Sequence, residues 1–132
     1  MEGSRRNDLA LLLLRLGFGG FMIYGHGWGK MIKLFTENPI QFGDPIGLGA
    51  NASLMLAVFA ELVCSVFVCI GLFTRYAVIP LIITMAVALL FVHFNDAFGR
   101  QEKALLYILG YVTILIAGPG YYSIDGQRNL AV

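Results

Sequence analysis

The stretch from Ala52 to Phe73, ASLMLAVFAELVCSVFVCIGLF, is 22 residues long and holds one charge, Glu61. At 1.5 Å per residue it makes a helix about 33 Å long, enough to cross a hydrocarbon core about 30 Å thick. A bilayer offers no water to unpaired amides, so an apolar run of this length reads as a helix and not a strand. The rest of the chain has the same character. Of its 132 residues, 58% are hydrophobic and 13% charged, and mean hydropathy is +0.78, which sets it apart from soluble domains. It reads as an integral membrane protein.

Working outward, three more apolar runs complete the pattern, and the spans are predicted at about 9–34, 52–73, 76–95 and 102–118. The fold expected is an all-α membrane protein, an antiparallel bundle of four transmembrane helices forming one domain over 1–132. Gly71-Leu72-Phe73-Thr74-Arg75 reads as the turn between the second and third helices, and Gly118-Pro119-Gly120 stops the fourth. The longest connection, Thr36 to Asn51, is rich in glycine and holds Pro39 and Pro45, so it reads as a structured loop or lid.

These readings narrow the function. A net charge of +1 without a basic run points away from nucleic acid, and no stretch remains for a soluble catalytic domain. Cys64 and Cys69 lie five residues apart, about 140° around one helix, and cannot bond to each other. Arg5 and Arg6 ahead of Leu9–Leu14 have the outline of a signal peptide. Arg15 interrupts its apolar core and no small-residue cleavage site follows, so an uncleaved, multi-pass protein of a bacterial inner membrane is expected. Lys and Arg divide evenly between the two faces; Arg5 and Arg6 tilt the orientation toward a cytoplasmic N-terminus.

The polar residues inside the spans carry the functional signal. Arg15 and His26 are eleven apart, within about 20° of each other on a helix, and Lys30 follows at i+4, so one stripe of the first helix faces the bundle. His26 and His93, the two histidines of the chain, fall at matched depth, with Glu61 expected a turn or two deeper. An ionisable group in hydrocarbon costs about 2.5–3.5 kcal/mol, so Glu61 and Arg15 need partners. Two readings stand side by side: a structural Arg15–Glu61 ion pair, or a Glu61 that exchanges protons with a ligand beside His26, Lys30 and His93. One histidine pair is thin support for a bis-histidine haem, and zinc would require a third and fourth ligand that the spacing lacks. Glycines 17, 19, 20, 25, 27 and 29 make the first helix thin, either for close packing or to leave room for a flat ring near Trp28.

The order Arg15-Leu16, Gly25-His26-Gly27 and Lys30, then Ala60-Glu61-Leu62, Gly71 to Arg75, Met85 to His93, and Gly118-Pro119-Gly120 with Ser123-Ile124-Asp125 resembles the DoxX family of small four-helix membrane proteins. The resemblance implies importance for His26, Lys30, Glu61, His93, Arg75, Ser123 and Asp125. Where the family tail usually has an arginine or lysine this chain has Tyr121, which weakens an anion-binding role for that end. The family's namesake resembles the small subunit of a thiosulfate:quinone oxidoreductase. The implied role is therefore an accessory subunit of a membrane oxidoreductase, with a quinone as cofactor and redox subunits, lipid or a second copy of the chain as partners. The competing reading is a non-catalytic membrane partner or small-solute carrier whose buried polar cluster is structural.

Overall fold

The computed structural model describes residues 2–128, and no strand occurs among them. Helix α1 covers residues 2–36 and is interrupted by a π-helical turn at Ile23–Gly27. Helix α2, Ala50–Ile70, contains a second π turn at Phe59–Cys64, and α3, Thr74–Val92, ends in a third at Ala88–Val92. Helix α4 is Phe98–Ala117, and a single turn, α5, covers Ile124–Gln127. By length and composition α1, α2 and α3 can each cross a membrane. In α4 the first turns carry Arg100, Glu102 and Lys103.

Neighbouring helices pack α1 on α2, α2 on α3, α3 on α4, and α4 back on α1. The core between them is built from Met22, Cys64, Val68, Val78, Leu81, Met85, Tyr111 and Ile114. Leu13, Phe21, Leu109 and Ile116 point outward, as side chains solvated by lipid do.

The chain turns between α2 and α3 where Gly71 adopts φ 73°, a conformation glycine reaches without strain. The Leu72 and Gly71 amides then bond back to the Phe67 carbonyl at 2.9 and 2.8 Å and close the helix end. A side chain at Gly71 would also strike Ser123 and Arg15.

Three charged residues at this end of the molecule act as caps for helices other than their own. Fully buried Arg15 donates to the Val68 and Cys69 carbonyls that end α2, at 3.3 and 3.0 Å, and to the Tyr122 carbonyl. Arg75 donates to Leu115 and Ile116 at the end of α4, at 3.1 and 3.4 Å. Asp125, also fully buried, accepts from the Phe73 and Thr74 amides and the Thr74 hydroxyl at 2.8–2.9 Å, where α3 begins. Each charge has the sign that its helix end favours: cations at C-terminal carbonyls, a carboxylate at N-terminal amides. Ser123 caps α5 by accepting from the Gly126 amide at 2.9 Å.

Candidate functional site

The π turns of α1 and α2 meet. A Cβ on Gly27 would stand 2.6 Å from the Glu61 carbonyl oxygen, so the two backbones touch and only glycine fits there. This contact brings Glu61 level with His26, where sequence depth alone had set it deeper. A π turn adds a residue to the helical round, redirects the side chains that follow, and is found disproportionately at functional sites. Here all three π turns border one region.

Glu61 is 2% exposed and is bonded by the Lys30 ammonium. The expected Arg15–Glu61 ion pair is therefore not the one formed. Arg15 has helix-terminal carbonyls within reach at its own end, whereas Lys30 lies one turn beyond His26 and faces Glu61 across the Gly27 contact. Its flexible stem lets the ammonium reach inward while the backbone stays near the helix end.

At the end of α3, His93 Nδ1 hydrogen-bonds Asp96 Oδ2 at 2.6 Å, and Arg100 Nη1 stands 3.7 Å from the same carboxylate oxygen. The hydrogen bond from His93, reinforced by the neighbouring charges of His93 and Arg100, holds the Asp96 carboxyl below the usual range. With Nδ1 engaged by Asp96, Nε2 is the ring nitrogen left for another partner. Gln101 Nε2 ties the turn down by donating to the His93 and Phe94 carbonyls at 3.0 and 2.9 Å. His26 packs edge-on against Tyr107 of α4, ring centroids 5.7 Å apart, and Tyr107 stacks on Tyr111.

Two clefts share this centre. One, of about 440 Å³, is an apolar groove between α2 and α3, walled by residues such as Leu56, Phe59, Ile83 and Val87 and covered by Phe42, Pro45 and Ile46 of the 37–49 loop. The second, of about 280 Å³, runs between α1, α3 and α4 and is lined by His26, Arg100, Lys103 and Tyr107. Lys30, Glu61, Ala88 and His93 border both. The loop is held in place from two sides. Phe42 lies under the ammonium groups of Lys30 and Lys33, 5.9 and 6.0 Å from its ring centre. Asp44 accepts from the Leu48 and Gly49 amides at 2.8 and 2.9 Å and from the Ser53 hydroxyl at 3.0 Å, hydrogen bonds that keep its carboxyl below the usual range.

His26, Lys30, Glu61 and His93 are thus gathered into one site. Arg75, Ser123 and Asp125 are not; Arg75, in the first turn of α3, and His93, just past its end, are eighteen residues apart, about 27 Å along the helix. The sequence sets Asp96 at the rim of this level and Arg100 and Lys103 on the same face, but does not mark any of the three as a site residue. The i, i+3 spacing of His93 and Asp96 was a local signal for the first of them.

The chain matches the DoxX family over residues 10–94. It belongs to the DoxX family. A Haemophilus influenzae relative, described as an uncharacterized protein, is 32% identical over 134 residues, covering 96% of this chain and 95% of its own length. No solved structure matches the chain. The DoxX match takes in all of His26, Lys30, Glu61 and His93 and stops before α4, so Arg100 and Lys103 lie outside it.

Proposed function

We propose that this DoxX protein is an antiparallel four-span bundle of a bacterial cytoplasmic membrane that binds a lipid-soluble quinone as the accessory subunit of a membrane oxidoreductase. What supports the reading is a single arrangement: an apolar groove between two membrane helices ends on a buried glutamate hydrogen-bonded by a half-buried lysine, beside a histidine. Ligand sites for amphipathic molecules have this form, an apolar wall with a few convergent polar groups. The wall residues suit the ring and the start of an isoprenoid tail. Lys30 suits a carbonyl oxygen as a donor, and His93, whose Nδ1–H is engaged by Asp96, suits a hydroxyl of the reduced ring as an acceptor through Nε2.

A bound quinone supplies a carrier of two electrons and two protons that is mobile in the bilayer. The chain's own contribution is to position and to manage protons. Lys30 holds a proton at the groove end, Glu61 keeps that ammonium in place, and Asp96 fixes the tautomer through which His93 presents Nε2. The competing reading, a purely structural polar cluster, draws on the full pairing of Glu61 with Lys30.

Calorimetric titration of the full chain in nanodiscs with a short-chain quinone and with its quinol separates the two. Saturable binding, weakened about tenfold or more by His93→Ala, by Lys30→Met and by Ile83→Phe, which narrows the groove, is the expected result; about tenfold is the scale of one lost charge-assisted hydrogen bond. Affinity unchanged in all three variants would leave the cluster with a structural role only.

A further inference from the structure

The second cleft is chemically unlike the first. Among the described residues that line it, Lys30, Arg100 and Lys103 have cationic side chains, His26 and His93 are imidazoles, and Glu61 is the one carboxylate. Glu61 is already engaged by Lys30, so the remaining cationic surface has no counter-charge within the cleft. Asp96 holds His93 and Arg100 from outside the lining, and Glu102 does not line it. The cleft is placed where α1 and α3 reach their ends and α4 starts, with exposed Arg100 and Lys103 at its mouth and half-buried His26 and Lys30 at its back. The N-terminal end of the 20-residue α4 adds its positive pole to the same region.

From this juxtaposition we infer that the cleft is a binding site for a phosphate-type oxyanion, with Arg100 and Lys103 gripping the anion from α4 and His26 and Lys30 receiving it from α1. A volume of about 280 Å³ holds a tetrahedral oxyanion together with water. Arginine offers such an oxygen cluster two parallel N–H donors, and lysine a compact charge. His26, wedged against Tyr107 at 5.7 Å, has its ring plane set and so presents a fixed ring nitrogen to the cleft. The same chemistry has two sources, the phosphodiester headgroup of an anionic lipid and free phosphate, since helix ends at this level reach the headgroup layer. The inference shares Lys30 with the apolar groove, and its test rests on Arg100 and Lys103, which line the polar cleft and not the groove.

The experiment uses the full chain in two forms, wild type and Arg100→Gln/Lys103→Gln. Both substituted side chains are exposed, and circular dichroism verifies that the helices persist. In phosphatidylcholine nanodiscs, inorganic phosphate is titrated against chloride at matched ionic strength, with thermal unfolding as the readout. In parallel, native mass spectrometry counts phosphatidylglycerol retained per chain. Saturable stabilisation by phosphate beyond that by chloride, with affinity reduced about tenfold or more in the double variant, identifies a free oxyanion as the ligand. Retention of one phosphatidylglycerol by the wild type, lost in the double variant, identifies a lipid headgroup. Absence of both forms of binding, or binding equal in the two proteins, overturns the inference.

Discussion

Removing the Lys30 ammonium should destabilise the protein far more than removing an ordinary surface lysine, and removing both members of its pair should restore most of the loss. Glu61 is 2% exposed and Lys30 26%, so Lys30→Met leaves a buried carboxylate without the cation that hydrogen-bonds it. Loss of one partner of a buried pair costs about 3–5 kcal/mol, whereas exchanging the whole pair for apolar groups of similar size is close to neutral. Glu61→Leu should cost less than Lys30→Met, since the lysine stem can carry its ammonium outward to water. The double variant Lys30→Met/Glu61→Leu should return to within about 1 kcal/mol of the wild type, giving a coupling energy of about 2 kcal/mol or more. Lys33→Met is the internal control. Its ammonium stands 3.7 Å from Glu37, with the two side chains 32% and 40% exposed, and a pair of that kind contributes at most about 1 kcal/mol. Reversible unfolding in mixed dodecylmaltoside and SDS micelles, followed by helical circular dichroism, measures the wild type and all four variants. A coupling energy below about 0.5 kcal/mol, or a Lys30→Met no worse than Lys33→Met, would refute the assignment of Lys30–Glu61 as a buried pair.

The same unfolding assay reads two further sites. Asp125→Ala deprives two amides and one hydroxyl of their acceptor at the start of α3 and should cost about 3 kcal/mol, with Asp125→Asn losing about half as much; a loss under about 1 kcal/mol for alanine would show that the cap is not needed. Because the folded state holds the Asp96 carboxyl below its usual range, its contribution is present above that range and disappears as pH falls through the folded value. The stability gap between wild type and Asp96→Asn should therefore be constant near neutrality and close on acidification, and a gap independent of pH would contradict the His93–Asp96 hydrogen bond.

Much of the architecture was readable from one-dimensional features because the bilayer imposes strong rules on them. An uninterrupted apolar run of bilayer length has one structural solution, so α2 and α3 follow from Ala52–Phe73 and from the run after Arg75, and Gly71 marks their turn. Helical spacing alone put His26 and Lys30 on one stripe, and both border the polar cleft. The three π turns were not legible, since their hydrogen bonds depend on neighbouring helices more than on residue type. They nonetheless decide which way His26 and Glu61 point.

The partnerships of the charges were likewise a tertiary matter. Composition and spacing determined that Arg15 and Glu61 would be buried and would need partners, because an ionisable group in hydrocarbon must be satisfied. They did not determine which partners. Arg15 found helix-terminal carbonyls within a side chain's length, and Glu61 found Lys30 across the contact where Gly27 lets two backbones touch. Arg75 and Asp125, distant in sequence from the helix ends they cap, could be recognised as caps only once those ends were in position. A sequence records the demand for a counter-charge locally, while the supply comes from whichever element the packing brings within about 3 Å.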